Sequence, residues 1–109
     1  MSDVILPANE QALDALLSSD GTPLLVDFFA TWCGPCSGMA PALEAFATEQ
    51  KQHLRVVKVD IDVFKRHAAH VGIRSVPTLL VVKEGAVLGA KAGALNKQGL
   101  AQFVQSSLR

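Results

Sequence analysis

The chain has 109 residues, half of them hydrophobic, and its ten basic and ten acidic side chains cancel. That length and apolar content imply one domain, spanning 1–109, with a real buried core, and argue against disorder. The charge balance argues against a bulk nucleic-acid or anionic-membrane surface, and no apolar run approaches the roughly 18 residues of a membrane span.

The start, Met1-Ser2-Asp3-Val4-Ile5-Leu6, lacks a basic segment followed by a long apolar stretch, so no secretory leader is expected. Asp3 to Leu6 suits a short strand. Residues 9 to 19 read as a first helix: Asn9 can cap it, Ala12, Leu13, Leu16 and Leu17 share a face, and Gly21 and Pro23 stop it. The apolar run from Leu24 to Ala30 reads as a strand covered on both faces. A second helix should start at the cysteine motif and run to about Gln50, burying Met39, Leu43, Phe46 and Ala47, with a kink at Pro41. Arg55 to Ile61 reads as a strand and Phe64 to Val71 as a short helix with an apolar stripe of Phe64, Ala68 and Val71. Thr78–Lys83 and Ala86–Lys91 read as a hairpin turning at Glu84-Gly85. Asn96 can cap a last helix that buries Leu100, Phe103, Val104 and Leu108. The order β-α-β-α-β-α-β-β-α predicts a mixed sheet with helices on both faces.

Cys33 and Cys36, the two cysteines of the chain, flank Gly34-Pro35 at the junction of a buried strand and a helix. A bridge closing so small a ring stabilises by only about 2 kcal/mol, against about 4.7 for a 100-residue loop. The placement suits a reversible dithiol/disulfide centre better than a structural staple. Cys33 would face the unpaired N–H groups and positive dipole end of the helix, which favour thiolate, the attacking species. Cys36, one turn further in, should be the less exposed, resolving thiol. Half of a zinc site is a competing reading, but His53, His67 and His70 offer no matching pair at structural-zinc spacing. Two cysteines are also too few for a secreted disulfide framework, so a reducing compartment is expected.

Asp27 interrupts an otherwise apolar strand just upstream of the cysteines. Burial would raise its pKa and make it a proton acceptor near neutrality; an edge-strand Asp turned to water is the alternative. Lys58 is either a partly buried partner for Asp27 or a solvated lysine. Val76-Pro77 precedes a strand, where Pro marks a turn or a first strand residue. The pairs His67/His70 and Asp60/Asp62 suggest no function beyond an ordinary amphipathic helix and loop carboxylates.

In Val26-Asp27-Phe28, Trp32-Cys33-Gly34-Pro35-Cys36, Pro41, Lys58-Val59-Asp60-Ile61-Asp62, Gly72 through Leu79 and Gly93-Ala94-Leu95, nearly the whole chain resembles the thioredoxin family. The resemblance implies a thioredoxin fold, a five-stranded mixed sheet flanked by four helices in three α/β/α layers. It implies a thiol–disulfide oxidoreductase that reduces protein disulfides. Pro77 would be cis against the cysteines, and Asp27 would move the proton of the buried cysteine. Trp32, Gly34, Pro35, Val76, Pro77, Ala92 and Gly93 would form the surface that receives a partner's peptide, with Val76 bonding its backbone like an added strand. Cys33 would attack, and Cys36 would resolve the mixed disulfide.

The same resemblance implies no resident cofactor, a cytoplasmic monomer, and electrons from a flavin-containing, NADPH-dependent thioredoxin reductase. Two residues depart from the family pattern: Phe29 stands where Trp is common, and Ser37 where Lys or Arg is frequent. Two other functions compete: an oxidase or isomerase of disulfides on the same fold, and a binding subunit whose redox activity is incidental. Gly34-Pro35 between the cysteines resembles the reducing members.

Overall fold

The computed structural model describes residues 2–19 and 21–109. Met1, with which the leader reading begins, lies outside the described residues. The elements in chain order are β1 (Val4–Ile5), α1 (Glu10–Leu17), β2 (Leu24–Phe29), α2 (Gly34–Gln50), β3 (Arg55–Asp60), α3 (Lys65–His70), β4 (Thr78–Lys83), β5 (Ala86–Ala92) and α4 (Lys97–Leu108). They form one five-stranded sheet in the order β1-β3-β2-β4-β5. β1 and β2 run parallel to β3, whereas β4 runs antiparallel to both β2 and β5.

This order explains why β2 reads as a continuous apolar run: it is the middle strand, flanked on both sides and covered on both faces. Alternate residues of the sheet face opposite layers. Leu25, Val56, Leu79 and Val81 pack with Met39, Leu43, Phe46 and Ala47 of α2 and with Leu100 and Val104 of α4. Leu24, Val26, Phe28, Val57, Val59, Leu80 and Val82 pack on the other face with Leu13 of α1, Phe64, and Ala68 of α3. The result is the three-layer α/β/α arrangement.

Local chemistry sets the ends of the elements. The Asn9 side chain accepts from the Ala12 N–H at 2.8 Å, and Asn96 accepts from Gly99 at 2.8 Å. α1 ends at Leu17, two residues short of the expected 19, where the Ser18 and Ser19 hydroxyls bond back to the Asp14 and Leu16 carbonyls. α3 is shorter than expected by one residue at each end: Phe64 is its N-cap, and Val71, expected on the buried stripe, is exposed. α2 runs from Gly34 to Gln50 through Pro41, whose missing N–H removes one bond of the helical ladder. In the β4–β5 turn, Glu84 (φ 52°) and Gly85 (φ 80°) both take the left-handed conformation that a tight hairpin requires. Among the described residues, no helix is long and apolar enough to cross a membrane.

Leu100 is fully buried where α4 meets the sheet. Leu100→Ala is therefore expected to lower the unfolding free energy by about 2–5 kcal/mol, measured by guanidinium denaturation.

Candidate active site

The site lies where β2 ends and α2 begins. Cys33 is the N-cap of α2, in extended conformation, and its sulfur accepts from the Cys36 N–H at 3.1 Å. Sulfur here fills the place that a Ser, Thr or Asp oxygen takes in an ordinary cap. Pro35, in the first turn, gives up an N–H that would have no helical partner. Cys33 and Cys36 are joined by a disulfide, with their Cα atoms 5.3 Å apart. Both are buried, at 5% and 4% exposure, so the expected difference in exposure is absent in the disulfide form. The bond draws both sulfurs into one cluster with Ala30, against which Phe29, Ile61 and Val76 pack.

Asp27 lies in the middle of the sheet, between Lys58 of β3 and Leu79 of β4. It is 1% exposed, which overturns the alternative of an edge-strand Asp turned to water. It shares the α2-facing side of β2 with Leu25, and its Oδ1 has no hydrogen-bond partner among the described residues. Burial pushes its pKa up to about 6, against the pull of the Lys58 charge. Lys58 is half-buried and enters no ion pair among the described residues; its Nζ lies 4.3 Å from the centroid of the Phe29 ring.

A second loop arrives beside the cysteines. The Val76–Pro77 peptide is cis, Pro77 is buried, and Val76 packs on the cysteine cluster. Gly93, at φ 99°, donates its N–H to the Pro77 carbonyl at 2.9 Å, tying the end of β5 to the start of β4. Ala92, Gly93, Gly34 and Pro35 are exposed, as is Trp32 at 69%. The Trp32 indole N–H donates to Asp62 Oδ2 at 2.9 Å, and the Asp62 N–H donates to Asp60 Oδ1 at 2.8 Å. Trp32, Gly34, Pro35, Ala92 and Gly93 are thus open to solvent, while Val76 is half-buried and Pro77 lies beneath.

A family model described as Thioredoxin matches residues 4–106. The chain belongs to the thioredoxin family. It is 42% identical over 108 residues to a thioredoxin of Acidithiobacillus ferridurans, covering 99% of this chain and all of that one. It is 38% identical to a thioredoxin of Haemophilus influenzae, with the same coverage. A solved structure of Fasciola hepatica thioredoxin superposes with a TM-score of 0.84 at 33% identity, covering 94% of this chain and 97% of that one.

The chemistry follows from membership together with the cysteine pair: the chain is a thioredoxin-like oxidoreductase that reduces protein disulfides by dithiol exchange through Cys33-Gly34-Pro35-Cys36. Thioredoxins need no cofactor; their partners, as a family, are a reductase and disulfide-bearing proteins.

Two features of the structure lie outside the sequence expectations. Asp60 and Asp62, read as ordinary loop carboxylates, include the anchor of Trp32. Their recurrence at the end of a strand was the available signal. His67 is buried at 6%, with Nε2 2.6 Å from Asp14, while Arg66 bridges Glu10 at 2.7 Å and Asp14 at 3.3 Å. That cluster ties α3 to α1 beside a cavity of about 380 Å3, on the far face of the sheet from the cysteines. Among the described residues, no three or more His, Cys, Asp and Glu side chains gather to hold a metal ion.

Because the native Asp27 holds its proton up to about pH 6, against an ordinary 3.8, the stabilisation from protonation is full below about pH 4 and lost as pH rises through 6. Asp27→Asn removes the cost of a buried charge. The variant is expected to exceed the parent in stability at pH 8 by about 2–3 kcal/mol and to match it near pH 4, measured by guanidinium unfolding.

Proposed function

We propose that the chain works as a single-domain protein-disulfide reductase in which Cys33 attacks, Cys36 resolves and Asp27 takes the resolving proton. The observation that carries this is the Cys33 sulfur at the first N–H groups of α2, within bonding reach of Cys36. In the reduced form, the N–H that caps the disulfide sulfur stabilises a Cys33 thiolate. That thiolate attacks one sulfur of a substrate disulfide. A Cys33–substrate bond forms, the substrate S–S bond breaks, and the departing thiolate takes a proton from water. Cys36 then passes its proton to the Asp27 carboxylate and attacks the Cys33 sulfur. The mixed disulfide breaks, the second substrate thiolate leaves, and the domain is oxidised by two electrons. With a pKa of about 6, Asp27 is ionised and able to accept a proton at neutral pH.

Trp32, Gly34, Pro35, Val76, Pro77, Ala92 and Gly93 would receive the substrate as an extended segment. No main-chain hydrogen bond of Val76 is found among the described residues, which leaves its backbone available for strand-like pairing. Lys58 contributes a through-space charge to Asp27. A flavin- and NADPH-dependent thioredoxin reductase would return the two electrons to a monomer working in the reducing cytoplasm.

Trapping tests the division of labour. Cys36→Ser should accumulate a covalent adduct with a disulfide substrate, and Cys33→Ser should not; the reverse pattern would exchange the two roles. In stopped-flow measurements, Asp27→Asn should slow release from the mixed disulfide by about tenfold or more while leaving its formation unchanged. An unchanged release rate would remove Asp27 from the mechanism.

A further inference from the structure

Phe29 touches both halves of the site. It packs against the Ala30–Cys33–Cys36 cluster, and its ring face carries the Lys58 ammonium at 4.3 Å. The strand register places it there. Asp27 and Phe29 are two apart on β2 and project to one face, while β3 sets Lys58 opposite Asp27 and Asp60 opposite Phe29. A lysine opposite a buried carboxylate has a ready ion-pair partner. Yet Lys58 appears in none of the ion pairs among the described residues, and Asp27 Oδ1 accepts no hydrogen bond.

The other surroundings of Asp27 offer no substitute cation. β4 sets Leu79 beside it, and the first turns of α2, from Gly34 to Ala40, carry no charged side chain. Further along α2, Glu44 and Glu49 are exposed and engaged by Ser2 and Lys97. Leu100 and Val104 are what α4 buries in this layer. Asp60 accepts from the Asp62 N–H, and Asp3, beside β1, accepts from Thr48.

We propose that Phe29 is a positioning residue for the exchange reaction: its ring face holds the Lys58 ammonium at a stand-off from Asp27, near enough to act through space and outside ion-pair contact. The electrostatic attraction between a cation and the ring face competes with water for the ammonium, and the two-residue spacing of Asp27 and Phe29 on β2 keeps the held ammonium out of ion-pair contact with the carboxylate. Held there, Lys58 offsets part of the burial cost of the Asp27 carboxylate without occupying the oxygen that must take a proton. The functional meaning of this arrangement rests on the reading of Asp27 as proton acceptor. An aliphatic side chain at position 29 fills space without offering a ring face, so Lys58 would swing out to water; tryptophan would keep the face.

The test is the titration of the Asp27 side-chain carboxyl, followed by carbon NMR in the full-length oxidised protein. Phe29→Leu and Lys58→Met should each raise the midpoint, by equal amounts. The double variant should rise no further than either single one, because both remove the same interaction. Phe29→Trp should titrate like the parent, and Phe29→Met replaces the leucine variant should that fail to fold. A merely structural role for Phe29 would change stability and leave the midpoint in place. The proposal is overturned if Phe29→Leu does not move the midpoint, if Lys58→Met does not, if the two shifts add, or if Phe29→Trp shifts as far as Phe29→Leu. Failure of the proton-acceptor reading shows separately, as an unchanged release rate in Asp27→Asn, and leaves the NMR comparison to decide the role of Phe29.

Discussion

The first N–H groups of a helix have no partner within the helix, and in this molecule a cysteine sulfur supplies one. That single contact fixes what the neighbouring structure must do. It needs a rigid strand to deliver the chain to the helix start, and β2 is the most enclosed strand of the sheet. It needs α2 pressed firmly onto that sheet, which Met39, Leu43, Phe46 and Ala47 accomplish. It places Cys36 in the same turn, within bonding distance of Cys33. The N–H that satisfies the cap in the disulfide form is also the group that favours thiolate when the bond is open.

The strength of that field bears on the direction of electron flow. A helix end stabilises an anion by about 0.3–1 kcal/mol, and by about 2 at best. Ser37 follows the pair, and no charge lies in the first turn of α2 to add to this. A thiolate favoured this modestly leaves the dithiol form a willing electron donor; strongly oxidising pairs are those whose reduced form is much more stabilised. The buried Asp27 complements the arrangement. Its Oδ1 has no hydrogen-bond partner among the described residues, and the group takes up a proton readily, at the cost of folding stability above pH 6.

What could be read from the chain followed the range of the forces involved. Asn9 and Asn96 as caps, the Glu84-Gly85 turn and the covered strand at Leu24 are local features, legible from neighbours in sequence. Asp27 was legible as buried because its flanks are apolar and the cysteines follow closely. The position of Lys58 was not, because it depends on the register between β2 and β3 and on an aromatic ring two residues beyond Asp27. The pairing of His67 with Asp14 needs α1 and α3 to meet across 53 residues, which periodicity within either helix does not express. Likewise the packing of Val76 on the cysteines was implied by family resemblance and not by any local pattern. Val71 shows the converse error: it fits the helical stripe of α3, but the helix ends before it.

The measurement closest to the centre of this account is the reduction potential of the Cys33–Cys36 pair, by equilibration with a dithiol buffer of known potential. A value near −270 mV, about where thioredoxin itself lies, is expected of a pair whose thiolate is held by a helix end alone. A value near −180 mV, about that of protein disulfide isomerase, would mean that the reduced form is stabilised by about 4 kcal/mol more, and would contradict the reductive direction.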